Sequence, residues 1–123
     1  MALTRHYRET VLERIKQDAE FTAALYAEAI ASLVEGDCET ALSTLRDLVH
    51  AHISFKTLAK HTGFGEKALH RMLGANGNPN LENLTKVIHA IEEDLQLSVS
   101  VDAKWSKPKR PTPRQREVRL AYA

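Results

Sequence analysis

Several features that mark particular protein classes are missing from this chain of 123 residues. Its single cysteine, Cys38, excludes an intramolecular disulfide framework and fits a reducing compartment. No apolar run approaches the ~20 residues of a membrane-spanning helix. The first residues also lack the apolar segment of a secretory signal peptide. We therefore expect a soluble, cytoplasmic protein with no membrane partner and a single folded domain.

The sequence also lacks any pattern that predicts catalysis or a bound cofactor. It contains no phosphate-binding loop and no pair of carboxylates at a catalytic spacing. His50 and His52 lie two residues apart, so they point to different faces of a helix, and no Cys/His spacing supports a metal site. Cys38 has no evident base beside it. We therefore predict a protein that is not an enzyme and that binds no cofactor or metal.

Charge is divided unevenly along the chain, although the net charge is +1. Residues 1–102 carry 10 Lys and Arg against 15 Asp and Glu, whereas residues 103–123 carry seven against one. Within the acidic part, residues 52–90 have a positive balance. We therefore predict one helical domain over residues 1–102, followed by a basic, disordered tail. The tail also contains three prolines, Pro108, Pro111 and Pro113.

Hydrophobic periodicity predicts an all-α domain of five or six helices. Asp18, Asp37 and Ser54 stand where helix N-caps belong, and Gly36 and Gly63 stand where helices end. The widest apolar stripe, which we expect to face the core, comprises Phe21, Leu25, Tyr26, Ala29, Ile30, Leu33 and Val34.

The pattern changes after the last predicted helix, which spans about residues 81–93. Leu95, Leu97, Val99 and Val101 alternate with polar residues, the period of two that is typical of a β-strand. A lone strand cannot pair its backbone groups within a helical chain. We therefore hypothesise that it pairs with its copy across the two-fold axis of a homodimer. Two alternatives remain open: the strand offers its edge to another protein, or the segment lies extended on the helices.

Residues 54–73 have the pattern of a helix-turn-helix, in which two short helices are joined at a glycine. Gly63 supplies the positive φ of the sharp turn, and the small Ala59 lets the second helix cross closely over the first. Leu58, Leu69 and Met72 are placed to hold the two helices together. The second helix of such a motif enters the DNA major groove, so the arrangement predicts DNA binding.

The chain from residue 54 to residue 95 resembles the Cro/repressor-type (XRE) helix-turn-helix family. It is most similar to the probable addiction-module antidote family, the HigA-like antitoxins, in two runs: TGFGEKALHRML at residues 62–73 and GNPNL at residues 77–81. The resemblance covers about residues 25–101. It implies a small transcriptional repressor that binds its own promoter and a ribonuclease-type toxin.

Candidate DNA contacts lie on and around the second helix of the motif. Lys67, His70 and Arg71 share its exposed face, where Arg71 can bind guanine through two hydrogen bonds and His70 can donate to a purine. Lys67 can reach a guanine or a phosphate. Glu66 can accept from a cytosine amine or repel the DNA backbone, and Gly65 stands where the resembling antitoxins have Ser. The candidates for the sugar-phosphate backbone are Ser54, Lys56, Asn76, Asn78 and Asn80. The alternative is a solvated helix face with ordinary surface charges.

We expect the protein to be the antitoxin and autorepressor of a type II toxin–antitoxin module. It would bind its own operator as a homodimer and also bind a cognate toxin. Two alternatives are a stand-alone helix-turn-helix regulator without a toxin, and a helical interaction adaptor that binds no DNA. The tail has three interpretations: an arm that contacts phosphates or a minor groove, a segment that folds on an acidic partner, and a solubilising extension.

Overall fold

The computed structural model describes residues 2–106, which form six α-helices and one π-helical segment. The helices are α1 (Ala2–Gln17), α2 (Ala19–Glu35), α3 (Cys38–Leu48), α4 (Phe55–Thr62), α5 (Glu66–Met72) and α6 (Leu81–Leu95), and the π-helical segment (Val49–Ile53) continues α3. The predicted all-α class is confirmed for this part of the chain. The predicted tail lies outside the described residues from position 107 onward. No helix within residues 2–106 is long and apolar enough to cross a membrane.

Short polar residues and a glycine set the boundaries of α2 and α3. The Asp18 carboxylate accepts a hydrogen bond from the Phe21 amide at 3.0 Å. Asp37 accepts one from the Thr40 amide at 3.2 Å in the same way. Each carboxylate satisfies a backbone donor that the first helical turn leaves unpaired. Between them, Gly36 ends α2 at a φ of 93°, the left-handed conformation that favours glycine. The boundaries predicted at these three positions are confirmed.

The core is formed by apolar side chains from all six helices. α2 packs most extensively against α3, and α4 packs against both α5 and α6. The largest fully buried side chains are Ile15, Leu45, Leu48, Val49, Leu58, Leu69, Leu73, Val87 and Ile91. Tyr26 and Ala29 of α2 are buried, but Val34 is 82% exposed. The predicted stripe is therefore wrong at its last position, because Val34 lines a surface groove instead of the core.

A π-helical turn connects α3 to the helix-turn-helix. It is followed by Ser54, whose φ is 86°. The His52 imidazole Nε2 lies 2.7 Å from the Ile15 carbonyl oxygen, which also accepts a hydrogen bond from the Thr22 hydroxyl at 2.8 Å. The last carbonyls of α1 have no partner within their own helix. These contacts tie the end of α1 to the segment that leads into the motif.

The predicted strand over residues 95–101 does not form within the described single chain. α6 continues to Leu95, and Gln96 adopts a left-handed conformation at a φ of 55°. The Leu97 amide then donates back to the Glu92 carbonyl at 2.9 Å, which ends the helix with a Schellman cap. The residues that follow have no regular secondary structure, because the described part of the chain contains no partner strand. The predicted start of the strand at Leu95 is therefore wrong, and the pairing of the later residues stays a prediction.

Candidate nucleic-acid interface

The helices α4 and α5 form the helix-turn-helix. α4 ends at Gly63, whose φ is 82° and whose amide donates to the Ala59 carbonyl at 2.9 Å. Leu58 of α4 and Leu69 of α5 are fully buried, so they hold the two helices together from the core side. Met72 is partly buried against the same core. The turn and the apolar contacts predicted from the residue spacing are confirmed.

The outer face of α5 carries basic and hydrogen-bonding side chains one turn apart. Lys67, His70 and Arg71 are all exposed and line a shallow depression of about 620 Å³. Within the described residues, the side chains of Lys67 and Arg71 have no ion-pair or hydrogen-bond partner. Glu66 is exposed in the first turn of the same helix. The two cations are therefore available to an external anion.

An aromatic contact orients His70 across the motif. Its imidazole stacks on the ring of Phe55 at the start of α4, with ring centroids 3.8 Å apart and an interplanar angle of 18°. Phe55 is buried, so the imidazole lies between the core and solvent. Stacking restricts the rotamers of His70 and leaves both ring nitrogens to make hydrogen bonds. No spacing rule relates the two positions, so the sequence did not predict this contact.

A second depression adjoins the first and shares Arg71. It has a volume of about 730 Å³ and lies between the end of α5 and the turn that leads to α6. Its lining includes four asparagines, Asn76, Asn78, Asn80 and Asn83. No carboxylate is among the described residues that line it. Side-chain amides beside a guanidinium can both donate and accept hydrogen bonds, which suits the sugar-phosphate backbone of a nucleic acid.

The turn between α5 and α6 is packed tightly against the end of α5. A Cβ atom at Gly77 would lie 2.6 Å from the Arg71 carbonyl oxygen and closer still to that of Met72. Glycine is therefore required for this close approach. At the other end of the turn, the Asn80 side chain accepts a hydrogen bond from the Asn83 amide at 2.8 Å and caps α6. Asn80 thus has a structural role as well as a place in the depression.

Three other predicted contacts lie at the starts of the two motif helices. Ser54 caps α4, since its hydroxyl oxygen accepts a hydrogen bond from the Thr57 amide at 3.2 Å. Lys56 is exposed in the first turn of α4 and has no ion-pair partner among residues 7–106. Gly65 begins α5 without a side-chain cap. Ser54, Lys56 and Gly65 line neither depression. The stack of Phe55 on His70 nevertheless places the start of α4 beside the outer face of α5.

Arg46 supports the site from α3, and the sequence did not identify it. Its Nη1 donates to the carbonyl of Leu73, which ends α5, at 3.1 Å. The guanidinium thus satisfies a carbonyl that has no partner within its own helix. The two residues are 27 positions apart, so no local pattern relates them.

Two histidines near the motif are paired with carboxylates. His61 Nδ1 lies 2.8 Å from Asp94, and His89 Nε2 lies 3.3 Å from Glu93. In the part of the chain that the structure describes, no group of three or more His, Cys, Asp or Glu residues could hold a metal ion.

No protein-family model, curated protein or solved structure matches this chain. The geometry of the α4–α5 motif indicates which kind of ligand the chain can bind. The exposed face of α5 carries the unpaired side chains of Lys67 and Arg71 and lies next to a depression lined by amides. This surface can bind an anionic ligand that also presents hydrogen-bonding edges.

Proposed function

We propose that this protein is a sequence-specific, DNA-binding transcriptional repressor. The observation that carries the proposal is the outer face of α5, where Lys67 and Arg71 are exposed and unpaired among the described residues. Buried Leu69 holds the same helix in place from its inner side. A DNA duplex offers phosphates for the cations and base edges for the donors. The non-enzymatic, cofactor-free character expected from the sequence is part of the same proposal.

In this proposal, α5 enters the major groove with its outer face toward the base pairs. Arg71 donates two hydrogen bonds to one guanine, and Lys67 binds a guanine or a phosphate. His70, which is held by its stack on Phe55, donates to a purine acceptor. Glu66 accepts from a cytosine amine. These side chains would determine which operator sequence is preferred.

Contacts to the DNA backbone would fix the register of the protein on the duplex. Asn76 and Asn78 lie in the depression beside Arg71, where they can bond to sugar and phosphate oxygens. Lys56 and the start of α4 at Ser54 would contact a phosphate beside the outer face of α5, since Phe55 stacks on His70. Such contacts add affinity that falls with rising salt and is independent of sequence.

We further propose that the repressor acts as a homodimer, since a palindromic operator requires two copies of α5 one helical turn of DNA apart. Leu97, Val99 and Val101 retain the alternation of a strand and have no partner strand among the described residues. Pairing with the same segment of a second copy would satisfy their backbone groups. The dimer and the strand would then form together.

The resemblance of residues 62–73 and 77–81 to HigA-like antitoxins supports a narrower role. We propose that the repressor is the antitoxin of a type II toxin–antitoxin module and binds a cognate toxin in the cytoplasm. A stand-alone regulator would share the DNA interface but have no toxin gene beside its own. An adaptor that binds no DNA is the second candidate, because an apolar groove beside α2 offers a surface for another protein.

Fluorescence anisotropy on the duplex upstream of the protein's own gene tests the proposal. The full chain should bind this duplex more tightly than a scrambled duplex at two salt concentrations. Lys67→Ala/Arg71→Ala should abolish the preference, because it removes both unpaired cations from α5. The control, Arg14→Ala/Lys16→Ala, removes the same two residue types from the end of α1 and should retain it. The Arg14 guanidinium contacts Asp18 and the Phe21 ring, which lie away from α5 in the sequence.

Binding that does not distinguish the two duplexes, or that is equally weakened by both double variants, would contradict a specific α5 interface. The adaptor would then be the better account. If specific binding is found, expression of the neighbouring gene with and without this protein would separate the antitoxin from the stand-alone regulator.

A further inference from the structure

An apolar groove of about 540 Å³ lies between α2 and residues 97–102. Its walls include Ala27 and Val34 on one side and Val99 and Val101 on the other. Val34 and Val101 are 82% and 89% exposed, and Val99 is 42% exposed. Large apolar side chains that are exposed together along one groove are typical of a binding surface.

One wall of the groove is an unpaired backbone edge. The Leu97 amide bonds back to α6, but residues 98–106 make no hydrogen bond to any described residue. An exposed edge of this kind binds an added strand, whose side chains then alternate between groove and solvent. The groove is therefore suited to an extended segment.

The charged residues of α2 and of the groove lining are negative, although Asp102 also lies 4.0 Å from the Lys104 ammonium. α2 contains Glu20, Glu28 and Glu35 and has no Lys or Arg. The charged residues that line the groove, Glu35 and Asp102, are both acidic. An occupant that complements this surface must therefore be basic as well as apolar.

The chain itself contains a segment with this chemistry beyond the described residues. Val118, Leu120 and Tyr122 alternate with Arg119 and Ala121. Residues 107–123 hold six Lys and Arg against a single acid. The intervening residues 107–117 could span up to ~35 Å if extended, at ~3.3 Å per residue. The described chain stops at residue 106, four positions after Asp102 in the groove wall, so this length would allow residues 118–122 to reach the groove.

We propose that residues 118–122 bind in the groove as a strand beside residues 97–101 of the same chain. Val118, Leu120 and Tyr122 would cover the exposed valines, and the arginines of the tail would face the acidic rim. A strand has two edges, so this docking leaves the other edge for a second copy. The proposal gives the tail an acidic partner within its own chain and is independent of DNA binding.

The single cysteine provides a probe at the groove. Cys38 is exposed and begins α3, three positions after Glu35. In full-length, ¹⁵N-labelled protein, a nitroxide on Cys38 should strongly reduce the amide NMR intensities of residues 118–122. Leu120→Ser/Tyr122→Ser should restore these intensities and shift the amide resonances of Ala27 and Val34. The matched control, Ala121→Ser/Ala123→Ser, changes the opposite positions of the alternation and should keep the intensity loss.

Three outcomes would overturn the proposal. One is normal intensity at residues 118–122 in the nitroxide-labelled protein. Another is an intensity loss that Leu120→Ser/Tyr122→Ser leaves unchanged. The third comes from a mixture in which one sample carries the nitroxide without ¹⁵N and the other carries ¹⁵N without the nitroxide. An equal intensity loss in this mixture would show that the groove binds the tail of a second copy. None of these readouts depends on DNA, so they leave the repressor proposal to its own test.

Discussion

The outer faces of α5 and α2 present opposite chemistry to solvent. α5 exposes Lys67, His70 and Arg71 beside a depression lined by asparagines. α2 has three glutamates and no basic residue, and it borders an apolar groove. The net charge of +1 does not reveal these two surfaces, which suit different ligands. The first suits a polyanion and the second a basic, apolar peptide, so the distribution of charge is more informative here than its sum.

The largest expected effect comes from breaking the support of the α5 face. Leu69→Ala should lower the free energy of unfolding by about 2–5 kcal/mol, because it leaves a cavity where a fully buried side chain joins α4 and α5. Urea denaturation of the full chain measures the loss. Leu81→Ala is the control, since Leu81 is 80% exposed on α6 and its truncation should cost about 0.5 kcal/mol or less. Equal losses would contradict the packing described for α5.

A smaller effect is expected at the turn that closes the asparagine-lined depression. Gly77→Ala should cost about 1–3 kcal/mol, because the new methyl group would collide with the Arg71 and Met72 carbonyl oxygens. Gly65→Ala is the matched control: its φ is −71°, and an added Cβ atom meets nothing within 4 Å. Thermal unfolding should separate the two variants. A Gly77 variant as stable as the Gly65 variant would show that the turn can move away from α5.

The link from α3 to α5 should have a modest effect on stability. Arg46→Met keeps the aliphatic stem but removes the hydrogen bond to the Leu73 carbonyl, at a cost of about 1–2 kcal/mol. Arg8→Met removes a partly exposed ion pair with Asp47 and should cost less than about 0.5 kcal/mol. Urea midpoints compare the two variants. If Arg8→Met were the more damaging change, α5 would not depend on the guanidinium of Arg46.

The smallest expected effect on stability concerns Tyr26 of α2 and depends on pH. The Tyr26 hydroxyl donates to Glu92 at 2.6 Å, and burial together with this bond raises the pKa of the phenol well above its ordinary range. The folded protein thus keeps the phenol protonated at a pH where the unfolded chain, with an ordinary pKa of ~10, releases the proton. Wild-type stability should therefore fall more steeply above about pH 10 than that of Tyr26→Phe. Parallel curves of urea midpoint against pH would contradict this.

Local interactions explain which features could be predicted from the sequence. The caps at Asp18 and Asp37 and the turn at Gly63 depend on residues within one helical turn, and all three predictions are confirmed. Contacts between distant positions were missed. The stack of His70 on Phe55 joins two helices, and no spacing rule describes such a pair.

The strand predicted over residues 95–101 shows that a local pattern does not by itself determine secondary structure. The alternation from Leu95 to Val101 favours a strand, but a strand also needs a partner. In the single chain, Leu95 remains in α6, and the hydrogen bond from Leu97 to Glu92 ends that helix. The prediction that Val34 faces the core is wrong for a related reason. The helical period continues to the end of α2, but the core does not extend that far, so Val34 is exposed. Periodicity identifies a face, and the neighbouring elements decide whether that face is buried.

We propose that the outer face of α5 reads DNA sequence, and a base-pair scan tests this proposal most directly. Each base pair of the bound duplex would be changed in turn, and the affinity of the wild type and of Arg71→Ala would be measured on every duplex by anisotropy. We predict one G·C position where substitution weakens the wild type by roughly 5- to 150-fold, as expected for a contact of about 1–3 kcal/mol, and leaves Arg71→Ala unaffected. Specificity profiles that are the same for both proteins would contradict the account.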